Sequence, residues 1–180
     1  MILMNEKKII SFDIDGVLND YPKCWVKYIN VKMRTNFSSK TQAKKKMGNT
    51  KYNSLKHQYR LSSYKYSLPV EKKLIVLMKE LKKKFKIIIL TSRPFNQYPK
   101  MKLNTYNWLV KKKISFNELY YKDELIFKIY PKIFFHVDNE LKECKIFVKK
   151  RINCYLLRKT LSKKKFITNI KSVYSLKKYL

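Results

Sequence analysis

Four short apolar runs in this chain lack polar alternation: Lys8–Phe12, Lys86–Leu90, Ile133–Val137 and Asn153–Leu157. The clearest reads KIIIL. A strand with one wet face alternates polar and apolar residues, whereas an unbroken run has both faces covered. Covering both faces takes helices on either side, and the intervening sequence supplies them. From Val70 the residues Leu74, Leu77, Met78, Leu81 and Phe85 share one helical face, with Pro69 and Glu71 suited to the first turn. Pro99 precedes a second helix that turns Met101, Trp108 and Leu109 inward, and a third carries Leu141, Cys144, Phe147 and Val148. A weaker strand is expected at Glu118–Tyr121, and a last amphipathic helix at Ile167–Leu180. This alternation specifies an α/β fold: a Rossmann-like, mostly parallel sheet flanked by helices.

Residues 21–68 break the pattern. They are basic, carry Tyr, Trp and Phe at roughly helical spacing, and sit between the first strand and the first crossover helix. They are expected to form a small basic helical cap, leaving 1–20 and 69–180 as the α/β core. A length of 180 residues with 45% hydrophobic content suits one domain with such an insertion. No apolar stretch approaches the ~20 residues of a membrane span, and the start, MILMNEKKII, lacks the apolar core of a signal peptide. The expectation is a soluble, cytoplasmic protein without a membrane partner. Cys24, Cys144 and Cys154 are widely spaced and form no CxxC pair, so they read as small buried residues and not as a zinc site or a disulfide framework.

The formal charge is +31. A Lys-rich, Ile-, Asn- and Tyr-rich composition fits an AT-rich coding sequence; a functional reason would be an anionic partner. Lysine runs at 44–46, 82–84, 111–113 and 163–165 read as solvated faces. The acids are more informative. Residues 21–70 and 144–180 contain none, while Asp13, Asp15 and Asp20 form one tight group and Asp138, Glu140 and Glu143 another. Codon bias explains the lysines but not where the acids survive.

Ligands of open parallel sheets bind beyond the carboxyl ends of the strands. Asp13 and Asp15 follow the first strand, Thr91, Ser92 and Arg93 the second, Lys122 the weaker one, and Asp138 and Asn139 the run FFHV. All would project to one end. Asp13 and Asp138 suit a hard divalent cation such as Mg²⁺, which takes one or two carboxylates plus water and phosphate oxygens. Thr91 and Lys122 suit phosphate oxygens. Asp13 is then placed to attack phosphorus and Asp15 to protonate the leaving oxygen. Gly16, one of only two glycines, lets the chain turn sharply so that both carboxylates face one point. His136 reads as a packed histidine. Arg93 reads equally as a substrate contact or as the partner of an acid.

FDIDGVLND resembles the first motif, hhhDxDG, of the haloacid dehalogenase-like (HAD) phosphohydrolases; IIILTSRP and FFHVDNE resemble their second and fourth. The TSRP form and the short insertion resemble the branch that contains 5'(3')-deoxyribonucleotidases. The resemblance spans about residues 8–157 and implies Asp13 as nucleophile and Asp15 as general acid/base, whose backbone carbonyl also reaches Mg²⁺. It further implies Thr91 as phosphate-binding hydroxyl and Asp138 as metal ligand. Where the family often has a second acid, Asn139 stands here, and Asn139, Glu140 or Glu143 can fill that role. For the phosphate-binding lysine, Lys122 fits by strand position and Lys128 by its distance from Asp138. Two functions follow. One is a Mg²⁺-dependent phosphatase acting on a small phosphorylated molecule, most naturally a nucleotide. The other is a nucleic-acid binder, or a polynucleotide-end phosphatase, using the acid-free aromatic segment, because bases stack on rings and phosphates pair with lysines.

Overall fold

The apolar runs become the interior strands of one sheet. The computed structural model describes residues 7–123, 125–157, 167–170 and 172–180. Six strands, β1 (Ile9–Phe12), β2 (Lys86–Thr91), β3 (Glu118–Tyr121), β4 (Ile133–Asp138), β5 (Asn153–Leu157) and β6 (Ile167–Ile170), lie in the order β3-β2-β1-β4-β5-β6. Every neighbouring pair is parallel. The strand order reverses between β1 and β4, the position where open α/β sheets bind ligands.

KIIIL shows why alternation is missing. Ile87 and Ile89 join one buried cluster, and Ile88 and Leu90 join another on the opposite face. The first face is covered by α4 (Lys72–Lys84), through Leu74, Leu77, Met78 and Leu81, and by α5 (Pro99–Lys111), through Met101, Trp108 and Leu109. The second is covered by α6 (Leu125–Ile129) and α7 (Leu141–Lys149), through Ile126, Cys144 and Phe147. Each such side chain is worth about 1.5–3 kcal/mol over leaving it in water. All three cysteines are buried and free.

The expected tail helix is absent. Residues Ile167–Ile170 form β6 beside β5, and Val173–Tyr179 form a 3₁₀ helix. Ile167, Ile170, Val173 and Leu176 recur every three residues, which reads as one helical face. In the sheet, however, Ile167 and Ile170 point to opposite sides and enter different clusters. Val173 and Leu176 keep the three-residue period because the 3₁₀ turn repeats every three residues. The lysine run 163–165 lies outside the described residues.

The segment between β1 and α4 forms α1 (Lys23–Met33), α2 (Lys40–Met47), α3 (Asn49–Leu61) and a 3₁₀ turn, Ser63–Tyr66. Its Trp25, Tyr28, Ile29, Ala43, Tyr52, Leu55 and Tyr59 build a cluster of their own. The Trp25 indole N–H donates to the Tyr52 hydroxyl at 2.9 Å, and Tyr28 and Tyr59 stack around the indole. These rings hold the helices together and are nearly fully buried, with Trp25 and Tyr59 forming part of a cavity wall. Among the described residues no helix is long and apolar enough to cross a membrane.

Candidate active site

The four adjacent strands β3, β2, β1 and β4 end side by side. The ladder runs one step past β1, where the Asp13 N–H donates to the Val137 carbonyl at 2.9 Å, fixing Asp13 against β4. Asp138 closes β4, Thr91 closes β2, and Lys122 follows β3, its N–H held by the Thr91 carbonyl at 2.9 Å. A cavity of about 280 Å³ opens over these ends. Asp13, Asp15, Thr91, Ser92, Arg93, Lys122, Asp138, Asn139, Glu140 and Glu143 all line it, together with Tyr21, Lys40, Lys56, Arg60 and Lys65 from the segment after β1. A larger cavity of about 710 Å³ between α1 and α2 carries no carboxylate and lies away from this chemistry.

Two ionic groups share the site. In the first, the buried Lys122 ammonium donates to Asp138 Oδ2 at 2.6 Å and to Asp13 Oδ1 at 3.1 Å, with Glu143 at 4.0 Å. Burial would depress that ammonium, but Asp13 and Asp138 outweigh it and hold it above its ordinary value. Burial pushes the Asp13 carboxyl well above the usual carboxylate range; Lys122 opposes the rise, and Asp138 and Asp15 add to it. Asp138 moves the other way. Burial is offset by hydrogen bonding from His136 and by Lys122, leaving it below the usual range. Its Oδ1 also accepts the Glu140 N–H at 2.8 Å, just ahead of α7.

In the second group, Arg93 grips Asp15 with two parallel bonds, Nη2 to Oδ1 at 2.7 Å and Nε to Oδ2 at 3.0 Å. Lys65 reaches Oδ2 at 3.3 Å, and Asn19 donates to Oδ1 at 2.9 Å. Burial alone would raise the Asp15 carboxyl, but Arg93 and Lys65 drive it far below the usual range. The Lys65 ammonium is pushed down to about 8 by burial, against the pull of Asp15.

The turn that follows the two acids depends on Gly16. Its φ is +96°, and an added Cβ would stand 2.2 Å from Asn139 Nδ2 and 3.1 Å from the Tyr21 carbonyl. Gly16→Ala is expected to cost about 1 kcal/mol through the left-handed backbone and to displace the Asn139 amide from the site. A thermal melt with a phosphate-release assay checks both, and unchanged values would remove this role from Gly16.

No family model and no curated protein matches this sequence. Among solved structures, the magnesium-bound HAD-hydrolase YfnB of Bacillus subtilis is similar over 97% of this chain and 98% of its own, with a TM-score of 0.68 at 10% identity. A haloacid dehalogenase-like hydrolase of Streptococcus pneumoniae is similar over 97% and 99%, with a TM-score of 0.63 at 13% identity. The fold is that of the HAD-superfamily hydrolases. A further HAD-family enzyme, from Bacteroides thetaiotaomicron and complexed with magnesium and inorganic phosphate, is similar over 87% and 96%, with a TM-score of 0.50 at 15% identity.

Within this HAD-like fold, the structure brings Asp13, Asp15, Thr91, Ser92, Arg93, Lys122, Asp138, Asn139, Glu140 and Glu143 to one cavity. Lys128 lies exposed on α6 and does not line it. Arg93 pairs with an acid, Asp15. Glu140 turns toward Lys40, 3.7 Å away. His136 is packed, as its sequence position suggested, but its bond to Asp138 and the part played by Lys65 were not foreseen. His136 is fully buried between Ser11 Oγ (2.8 Å from Nδ1) and Asp138 Oδ2 (3.1 Å from Nε2), stacked on Phe147. Burial lowers its pKa; an ionised Asp138 can only accept, so Nε2–H donates to it while Ser11 Oγ faces Nδ1. It positions Asp138; its place two residues before that acid was the available signal. Lys65, one lysine among dozens of cations, had none.

Proposed function

We propose that the chain is a Mg²⁺-dependent phosphohydrolase that cleaves a phosphate monoester through an aspartyl-phosphate on Asp13, with nucleotides as the substrate class. The observation that carries this reading is the junction of Asp13, Asp138 and Lys122 beside Thr91 at the ends of four adjacent strands.

Among the described residues no group of three His, Cys, Asp or Glu side chains is set to hold a metal. Mg²⁺ does not require one, because it keeps waters and takes substrate phosphate oxygens beside one or two carboxylates. Asp13 and Asp138 supply two, and Asn139 Oδ1 is buried without a hydrogen-bond partner, a hard oxygen left unsatisfied on the same cavity. The donor set therefore fits, with Asp13, Asp138 and the Asp15 backbone carbonyl holding the ion and Asn139 adding an oxygen. When bound, the ion supplies positive charge that offsets repulsion between Asp13 and the incoming phosphate.

The chain's own residues then divide the work. An Asp13 carboxylate oxygen attacks phosphorus, and the bond from phosphorus to the leaving oxygen breaks. Thr91 Oγ1 accepts the Arg93 N–H at 3.3 Å, which leaves its own O–H to donate to a phosphoryl oxygen. Ser92 and Lys122 hold the others. Asp15 must enter the first step carrying a proton, which it gives to the departing oxygen; it regains one from the water that cleaves the aspartyl-phosphate, restoring Asp13 and releasing phosphate. The Arg93 clamp favours the ionised form that the second step needs and opposes the protonated form that the first step needs.

Tyr21, half-buried on the cavity wall, and the cations around it support a nucleotide. A nucleic-acid binder is less well supported, since most rings of the basic segment are spent on its own cluster. The test is phosphate release from nucleoside monophosphates, sugar phosphates and aryl phosphates, with Mg²⁺ and with EDTA. EDTA is expected to lower turnover on the order of 100-fold or more, and Asp138→Ala to raise the Mg²⁺ concentration needed. Full activity in EDTA would overturn the metal assignment, and equal kcat/KM on every monoester would overturn the nucleotide.

A further inference from the structure

The cations at the floor of the cavity are already paired. Asp13, Asp15 and Asp138 face Lys122, Arg93 and Lys65, each within 3.3 Å of a partner, and Glu143 adds a fourth carboxylate 4.0 Å from Lys122. A magnesium ion and a phosphate dianion arriving together would add no net charge to that floor. The wall contributed by α2 and α3 is not paired in this way. Lys56 and Arg60 from α3 and Lys40 from α2 line the same cavity. Among the described residues the ion pairs engage neither Lys56 nor Arg60, and Lys40 has only the half-exposed Glu140 at 3.7 Å. The wall cations are not loose. Arg60 lies over the Tyr98 ring at 5.4 Å and Lys40 over the Tyr21 ring at 5.9 Å. Burial, then Arg60 and Lys40, depress the Lys56 ammonium, so these like charges press on one another. Asp15 opposes that depression only in part, so an anion bound among these three cations would relieve the repulsion.

We propose that this wall is a second phosphate subsite, built by Lys56, Arg60 and Lys40, and that the substrate is a phosphate monoester bearing a second phosphate group. The inference rests on the phosphohydrolase reading of the cavity floor and adds the substrate class. Two sources share that chemistry: a small bisphosphorylated molecule, and the phosphorylated end of an oligonucleotide, whose first diester would occupy the wall.

The experiment compares a nucleoside 5'-monophosphate, the corresponding 3',5'-bisphosphate and a 5'-phosphorylated dinucleotide as substrates. In parallel, calorimetry measures binding of the bisphosphate and the monophosphate to Asp13→Asn at low and high salt. The second phosphate is expected to raise kcat/KM and affinity roughly tenfold or more, with the gain shrinking as salt rises. In Lys56→Gln/Arg60→Gln, shown folded by its melting curve, the ratio of bisphosphate to monophosphate should fall toward one. A larger gain for the dinucleotide identifies a nucleic-acid end; a larger gain for the bisphosphate identifies a small molecule. Equal binding and equal kcat/KM for monophosphate and bisphosphate in the unmodified protein would overturn the subsite. Tighter binding of the bisphosphate without hydrolysis of any of the three would instead overturn the phosphohydrolase reading and leave the subsite standing.

Discussion

Asp13→Asn is expected to lower phosphate release by on the order of 10⁴-fold or more while the protein melts at or slightly above its original temperature. An amide is nearly isosteric with the carboxylate, and its oxygen can still accept from Lys122, which now donates to Asp13 Oδ1 at 3.1 Å. It cannot open phosphorus to form an acyl phosphate of useful stability. Stability should not suffer, because Asp13 is buried, and burial already disfavours its charged form. The pair of readouts matters: lost turnover with an intact melt assigns chemistry to this carboxylate, while near-normal release with Mg²⁺ present would remove it from the mechanism.

Arg93→Ala carries the largest expected cost in stability. The guanidinium is 3% exposed, and it anchors both oxygens of Asp15 while Nη1 donates to Thr105 Oγ1 at 3.1 Å. Removing it leaves Asp15, among the described residues, with only Lys65 and Asn19 and a buried hydroxyl without its donor, a loss of about 2–4 kcal/mol by denaturant unfolding. The pH dependence has a definite sign. Asp15 titrates lower in the folded chain than in the unfolded one, so its contribution is fully present above the ordinary carboxyl value of 3.8. It fades as pH falls below that value toward the folded-state pKa. The stability gap between the original chain and Arg93→Ala should therefore be flat from neutral pH to about pH 4 and narrow below it. A gap that instead widened with acid would contradict the ion-pair account.

The sheet was legible because its strands are buried on both faces, and an unalternating KIIIL has few other homes in a chain of this size. β6 escaped because residues buried on opposite sides of a strand, three apart, imitate a helical stripe. The carboxylates were legible through position: acids are scarce in this chain, and each of the important ones ends a strand or follows one within three residues. Cations were legible only where a strand end singled them out, as at Lys122 and Arg93. Lys65 sits in SYKYS, and its sequence neighbourhood gives no reason to separate it from the solvated lysines. The aromatic residues of 21–68 were visible, but composition alone could not tell a stacking surface from a small internal core. Burial decided for the core at Trp25, Tyr28, Tyr52 and Tyr59.

Asp15 has two cationic partners from different parts of the chain. Arg93 belongs to the sheet, two residues past β2, and Lys65 to the 3₁₀ turn that ends the inserted segment. The proton affinity of Asp15 is thus a function of where that segment stands. With Lys65 at 3.3 Å the carboxylate is a weak base held in its charged form; any displacement that withdrew Lys65 would leave Arg93 alone and make the same group readier to take a proton. The position of the inserted segment would then tune the acid–base chemistry of a residue that belongs to the sheet.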